Sequence, residues 1–139
     1  MGWQNEAINK IIDQLGDRVV KTGYLEDGLD KIKLYSGAAL FVLPSLYEGW
    51  GMPPLEAMAC GAPVIVADNS SLPEVVGEAG IRVDIKDPQE LTKAIEHVLT
   101  DPRLADQMRQ KGFVQSKKFT WQKSATRLQE LIKSIEATR

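Results

Sequence analysis

Two short, almost entirely apolar runs, AALFVLPS at 38–45 and APVIVAD at 62–68, constrain the fold more than any other feature. Their length suits β-strands, and a strand that is apolar on both faces is typical of a parallel sheet covered by helices on both sides. Segments with helical spacing of apolar residues lie between and around them. Strands that alternate with helices indicate βαβ units. We therefore predict an α/β fold, a Rossmann-like parallel sheet with helices on both faces.

The rest of the chain continues this alternation. Apolar residues at 7, 8, 11, 12 and 15 predict a first helix, and RVVKTG at 18–23 predicts a strand after it. IRVDI at 81–85 predicts a shorter strand. Two helices that begin with Asp-Pro follow it, and a last amphipathic helix is expected over about 120–137. We treat residues 1–139 as a single domain, since chains of this length usually form one.

Several helix ends carry recognisable signals. Asp27 is a candidate N-cap for the helix over DGLDKIKLYSG, and Gly61 suits the end of the helix over PPLEAMACG. Ser71 and Glu74 have the spacing of a capping box. Asp87 is a candidate N-cap followed by proline, with Glu90 three residues later, which predicts a second capping box.

Composition excludes several classes of protein. The net charge of −2 comes from interspersed acids and bases, which argues against a nucleic-acid partner. Cys60 is the single cysteine, so neither a disulfide framework nor a thiolate metal cluster is expected. No apolar run approaches the roughly 18 residues of a membrane span, and the N-terminus does not have the pattern of a secretion signal. We expect a cytoplasmic protein.

The segment LYEGWGMPPLE at 46–56 has an unusual composition for a loop. It follows the first apolar strand, where ligands bind in parallel sheets. Gly49 and Gly51 permit positive φ and close approach of a ligand, and the helix start after them suits a phosphate. Glu48 and Glu56 offer acceptors for sugar hydroxyls. A ligand with both hydroxyls and phosphates, such as a sugar nucleotide, fits these features together.

Other interpretations of these acids stay open at this point. Glu56 can simply complement the helix dipole, and Glu48 can be a solvated loop acid. The pair also suggests acid–base chemistry or a metal, although a metal site needs more oxygen or nitrogen ligands nearby. The residues alone predict a small-molecule site at the edge of a parallel sheet.

The segment PSLYEGWGMPPLEAMACGAPVIVADNSSLPEVVGEAG closely resembles the C-terminal domain of retaining nucleotide-sugar glycosyltransferases of family 4, which have the GT-B fold of two Rossmann-like domains. Glu48 and Glu56 match that family's two glutamates separated by seven residues. The segments on either side of it, DRVVKTGYLEDGLDKIKLYSGAALFVLPS before it and DPQELTKAIEHVLTDPRLADQMRQKG after it, are similar to the family as well. The resemblance therefore covers essentially the whole chain.

The resemblance implies a role for each site residue. Glu56 would accept the ribose hydroxyls. Glu48, the implied catalytic residue, would contact the donor sugar near the transfer centre as a positioning group and not as an established nucleophile. The other residues implied in donor binding are Tyr24, Leu25, Gly49, Trp50, Gly51, Met52 and Leu55. No metal or other cofactor is implied, and GDP-mannose, UDP-glucose and UDP-N-acetylglucosamine all fit as donors. The product would be a hexose joined to a sugar, lipid or polysaccharide acceptor.

The chain departs from the family at its start. In the family, a first strand, a helix and a second strand precede this point, and the first strand leads to an Arg and a Lys that neutralise the donor diphosphate. We expect a partial domain that lacks those two strands and the N-terminal acceptor domain, and that is inactive in isolation. In the family's sheet order, the two missing strands would lie between the strands RVVKTG and AALFVLPS. Their absence would expose an unpaired edge of the sheet. We expect self-association or a strand swap there.

Two other classes of function stay open. The chain can be a non-catalytic module that self-associates or binds a sugar nucleotide, and some sugar-nucleotide 2-epimerases share the two-domain architecture. The unbroken PSLYEGWGMPPLEAMA pattern favours the transferase lineage. For the full-length protein, the inner face of the membrane is an alternative location to the open cytoplasm.

Overall fold

A computed structural model describes residues 6–25 and 28–137. The helices are α1 (Glu6–Leu15), α2 (Gly28–Gly37), α3 (Met52–Ala59), α4 (Leu72–Val76), α5 (Pro88–Thr100), α6 (Pro102–Ser116) and α7 (Trp121–Ala137). The strands are β1 (Phe41–Leu43), β2 (Val64–Ala67) and β3 (Ile81–Val83), and one turn of 3₁₀ helix, Gly16–Arg18, follows α1. Strands and helices alternate from β1 to α5, as the sequence predicts.

The three strands form one parallel sheet in the order β1-β2-β3. Ile65 of β2 pairs with Val42 on one side and with Ile81 on the other. Each connection between neighbouring strands contains a helix, which parallel pairing requires. The carboxyl ends of all three strands therefore lie at the same edge of the sheet.

Apolar layers cover both faces of the sheet. Every residue of β2 is buried, and its side chains alternate between the two faces. Val64 and Val66 belong to a cluster with residues of α3 and α4, whereas Ile65 belongs to a second cluster with Val98 of α5 and Met108 of α6. The prediction of an α/β fold with a parallel sheet and helices on both faces is confirmed.

The prediction of a strand over RVVKTG is wrong. Residues 19–25 are irregular, and Val20 is 82% exposed. In the described part of the chain, β1 pairs only with β2, so residues 18–23 do not pair with its free edge. A β-branched run without a neighbouring strand has no ladder of hydrogen bonds to join, and its β propensity alone does not order it.

The helix ends follow the predicted signals in part. Gly61 has φ of 85° after α3, and the Asp87 carboxylate accepts a hydrogen bond from Gln89 N, so both predictions are confirmed. The two capping boxes do not form. The Ser71 side chain makes no cap hydrogen bond, and Glu90 accepts instead from Asp84 N at 3.1 Å. The predicted N-cap Asp27 lies outside the described residues.

The last helix agrees with its predicted range but buries nothing. Helix α7 begins at Trp121, and no residue of it is buried. Its apolar side chains lie on one face at helical spacing and are exposed: Trp121, Leu128, Leu131, Ile132 and Ile135. None of the helices in the described residues combines the length and the hydropathy that a membrane span requires.

Candidate functional site

The loop at 44–51 joins β1 to α3 at the carboxyl edge of the sheet, and hydrogen bonds attach it to the loop after β2. Asn69 Nδ2 donates to Ser45 O at 3.0 Å, and Glu48 N donates to Ser70 Oγ at 3.1 Å. Ser71 Oγ donates to Glu48 O at 3.2 Å. The two loops therefore hold each other in place, and the backbone of Glu48 is fixed on both sides.

The carboxylate of Glu48 also has a defined partner. Its Oε1 accepts a hydrogen bond from Ser45 Oγ at 2.8 Å, and the residue is half-buried. Ser45 is the second residue of the same loop, two positions after the end of β1. The side chain is therefore held over its own loop and is not a freely solvated acid.

Gly51 forms the junction between the loop and α3. It is the N-cap residue of α3 and has φ of 89°, a conformation that favours glycine. Gly49 is not among the glycines with positive φ, so the predicted need for positive φ holds at Gly51 alone of the two. Because glycine has no side chain, the start of α3 has no side-chain cap.

The start of α3 offers fewer donors than a typical helix. Its second and third residues are Pro53 and Pro54, which have no N–H group. Backbone donors for an anion must therefore come from Met52 and from the preceding residues Gly49, Trp50 and Gly51. The prediction that the helix start itself binds an anion therefore needs correction. Most of the available N–H donors belong to the loop before α3 and not to the first turn of the helix.

Glu56 lies in the second turn of α3, and no acidic residue occupies the first turn. A role as a partner of the helix dipole is therefore weakened, because that effect falls off within the first turn. Instead, Glu56 Oε2 is 2.7 Å from Lys31 Nζ and accepts from Tyr35 Oη at 3.5 Å. Both partners come from α2.

These contacts have electrostatic consequences. The hydrogen bond with Glu56 raises the pKa of the Lys31 ammonium. Burial raises the pKa of the Tyr35 phenol, and the negative charge of Glu56 adds to this effect. At neutral pH the Lys31 side chain is therefore an ammonium and the Tyr35 side chain a neutral phenol.

The structure brings the predicted residues together only in part. Trp50, Met52 and Leu55 line a cavity of about 510 Å³ together with residues of the α6–α7 junction. Glu56 lines a neighbouring cavity of about 380 Å³, to which Leu55 also contributes. Glu48 lines neither of the two. The carboxylates of Glu48 and Glu56 are thus oriented by different elements, the loop and α2.

The remaining predicted residues precede α2. Tyr24 is exposed and Leu25 is half-buried, and Tyr24 adds to the raised pKa of Lys31. No group of three or more His, Cys, Asp or Glu side chains in residues 6–25 and 28–137 is placed to hold a metal ion.

Sequence reasoning missed the residues that orient the two glutamates. Lys31 and Tyr35 are four positions apart, a spacing that places them on one face of α2, but nothing in the sequence links that face to α3. Ser45, Ser70 and Ser71 were detectable only as polar residues that follow the two buried strands.

Comparison with known proteins identifies the family. The profile of the family Glycosyl transferases group 1 matches residues 4–115. The chain belongs to this family of glycosyltransferases. O-antigen chain mannosyltransferase B of Escherichia coli is 38% identical over 128 residues, which are 90% of this chain and 33% of that protein. The D-inositol 3-phosphate glycosyltransferase of Corynebacterium jeikeium is 30% identical over 137 residues, 96% of this chain and 33% of the relative. This glycosyltransferase chain thus spans about a third of the length of these relatives.

Solved structures show the same fold. Sucrose-phosphate synthase from Thermosynechococcus elongatus superimposes with a TM-score of 0.84 and 31% identity, over 99% of this glycosyltransferase chain and 36% of that structure. The C-terminal domain of a group 1 family glycosyltransferase from Francisella tularensis has a TM-score of 0.72 over 84% of this chain and 64% of that one. At 24% identity, the second similarity shows the fold alone. The fold is that of a Rossmann-like GT-B C-terminal domain.

Proposed function

We propose that this chain is the C-terminal, donor-binding part of a retaining family 4 glycosyltransferase that transfers a hexose from a nucleotide sugar. The observation that carries the proposal is the loop between β1 and α3. It lies at the carboxyl edge of a parallel sheet, where ligands bind in such folds, and it contains Glu48 and leads into the helix that carries Glu56. Membership of the glycosyltransferase family supports the same conclusion.

Each part of the site receives a role in this proposal. Glu56 accepts hydrogen bonds from the ribose, and Glu48 binds the donor sugar near the transfer centre. The amides of Gly49, Trp50, Gly51 and Met52 line the sugar and the diphosphate. Leu55 packs close to the ribose, and the turn with Tyr24 and Leu25 borders the base. The reaction needs no divalent metal.

The names of the relatives favour one donor over the others. The first relatives are an O-antigen chain mannosyltransferase and serotype-specific mannosyltransferases of Escherichia coli. A mannosyl donor such as GDP-mannose is therefore our first choice, ahead of UDP-glucose and UDP-N-acetylglucosamine. The acceptor is a sugar, lipid or polysaccharide bound by another part of the protein.

We further propose that the 139-residue chain alone binds donors weakly and does not transfer sugar. The family's Arg and Lys for the diphosphate are absent from this sequence, and hydrogen bonds to charged groups contribute about 1.5–3 kcal/mol each. Without two such cations, donor affinity falls by roughly two to four decades. Sugar transfer by the isolated chain at ordinary enzymatic rates would contradict this proposal.

The donor site is tested by NMR titration of the ¹⁵N-labelled chain with the three nucleotide sugars. We expect millimolar binding, with the largest amide shifts at Gly49, Gly51 and Met52. Glu56→Ala should weaken binding, whereas Glu78→Ala, an exposed glutamate after α4, should not. Shifts scattered over the surface, or none for any of the three donors, would reject the site.

The edge of the sheet supports a second candidate, a self-associating module. In the described residues β1 has a neighbour on one side only, and α1 and α7 expose apolar side chains such as Ile8, Ile11 and Leu131. Unpaired edges and apolar faces favour association between chains. Light scattering over a concentration series tests it: a mass that rises towards a dimer supports association, and a constant monomer mass rejects it.

A further inference from the structure

We propose that Lys31 and Tyr35 of α2 are positioning residues that hold the Glu56 carboxylate in the orientation that binds the donor ribose. This inference rests on the proposed ribose-binding role of Glu56 and adds to it two residues that contact the carboxylate from another helix. Neither residue belongs to the loop or to α3.

The geometry divides the two oxygens of the carboxylate. Lys31 Nζ and Tyr35 Oη both contact Oε2, at 2.7 Å and 3.5 Å. Oε1 has no hydrogen-bond partner within the described residues. A carboxylate accepts through both oxygens, so one oxygen anchors the group while the other stays available to a hydroxyl.

The anchor is itself attached to the sheet. The Tyr35 ring packs edge-to-face against Phe41 of β1, with ring centroids 5.5 Å apart. Phe41 begins the strand that leads into the ligand loop. Tyr35 of α2 therefore contacts β1 through its ring and the Glu56 carboxylate of α3 through its hydroxyl.

The exposure of the ion pair points to orientation and not to stability. The side chains of Lys31 and Glu56 are 43% and 34% exposed, and ion pairs at this level of exposure contribute little to stability. The ammonium nevertheless lies 2.7 Å from Oε2, and without it only the longer contact of Tyr35, at 3.5 Å, remains to orient that oxygen. Loss of the Lys31 ammonium should therefore affect ligand binding more than it affects stability.

The test measures affinities of the full 139-residue chain for GDP and for 2′,3′-dideoxy-GDP by NMR titration, with UDP and its dideoxy analogue in parallel. The variants are Lys31→Met, Lys31→Arg, Tyr35→Phe and Glu56→Gln. Lys33→Met is the matched control, because Lys33 lies on the same helix and bonds to Asp30 on the surface. The dideoxy analogues lack the ribose hydroxyls that Glu56 is proposed to accept.

We expect Lys31→Met to weaken GDP binding about threefold to fivefold, and Glu56→Gln to weaken it about tenfold. Lys31→Arg should restore most of the affinity. Neither Lys31→Met nor Tyr35→Phe should change binding of the dideoxy analogue, and Lys33→Met should change neither ligand. A merely structural role of Lys31 would weaken both ligands equally.

The outcomes separate the two proposals. If Glu56→Gln weakens GDP binding but Lys31→Met does not, the positioning role is wrong and the donor site stands. Tighter binding by Lys31→Met would also overturn it, since Lys31 would then compete with the ribose. If neither GDP nor UDP binds, or if Glu56→Gln has no effect on affinity, the proposed role of Glu56 fails and this inference fails with it.

Discussion

A Cβ atom on Gly51 would lie 2.8 Å from Cδ2 of Leu72. Leu72 is the first residue of α4 and is fully buried. The loop before α3 therefore approaches α4 so closely that a side chain at position 51 has no room. Together with φ of 89°, this contact makes glycine a structural requirement at the centre of the proposed site.

We expect Gly51→Ala to lower the free energy of unfolding by about 1–3 kcal/mol, because a left-handed non-glycine residue is strained and Leu72 must move. Gly49→Ala is the control, since a Cβ there meets no atom within 4 Å. Urea denaturation measures both variants. Equal stability of the two alanine variants would show that the contact with Leu72 is not restrictive.

Gln115 supports the second prediction. It is buried, at 6% exposure, and its Nε2 donates to Val75 O at 3.0 Å while Oε1 accepts from Lys118 Nζ at 2.7 Å. We expect Gln115→Leu to destabilise the fold by about 1–3 kcal/mol, because a buried carbonyl loses its donor. Gln110→Leu, at an exposed position on the same helix, should change the urea midpoint very little. A stabilised Gln115→Leu variant would mean that apolar packing outweighs these hydrogen bonds.

Asp101 caps α6. Its carboxylate accepts from Arg103 N at 2.9 Å and from Leu104 N at 3.1 Å. Asp101→Ala should therefore cost about 0.5–2 kcal/mol, and Asp101→Asn much less, because asparagine is also a good N-cap. Asp106→Ala serves as control for the loss of an exposed acid from the same helix. Thermal unfolding followed by circular dichroism gives the order of the three variants. If the Asn and Ala variants have the same midpoint, the cap is not the cause.

The cluster around Glu56 predicts the response to alkaline pH. Lys31 has a folded pKa above its ordinary 10.5, so its stabilising contribution is complete below that value and is lost as pH rises through the folded pKa. Tyr35 has a folded pKa above its ordinary 10.0, so the folded protein retains that proton more strongly. Both effects have the same sign, and stability should fall above about pH 10.

The comparison that isolates this effect is wild type against a Lys31→Met, Tyr35→Phe double variant. We expect the free energy of unfolding of the double variant to fall less steeply between pH 9 and pH 11, measured in urea at each pH. Parallel pH profiles for the two proteins would show that other groups determine the alkaline response.

The sheet was predictable because its signal is local. A run such as VIVA, buried on both faces, has few alternatives to the centre of a parallel sheet, and Val64–Ala67 forms that strand. RVVKTG has an equally local signal but pairs with no strand in the described residues, although one edge of β1 is free there. Pairing, which sequence patterns do not report, therefore decides its structure. The same holds for Ser71, whose hydroxyl bonds to Glu48 O across the loops and not to its own helix.

For the candidate site, the sequence indicated the loop and the two glutamates but not their environment. The contact between Lys31 and Glu56 joins residues 25 positions apart on different helices. Only the packing of α2 beside α3 creates it. The missing donors at Pro53 and Pro54 were visible in the sequence, and their effect on the helix start follows once α3 is known to begin at Met52.

The central strand, β2, has side chains in both apolar layers, so a substitution in one layer can affect the packing of the other. Ile65 faces α5 and α6, while its neighbours Val64 and Val66 support α3. A substitution in the layer remote from the loop therefore acts through the shared backbone of β2 on α3, the helix that follows the loop. The geometry of the proposed site thus depends on the packing of Ile65 against α5 and α6 as well as on the loop itself.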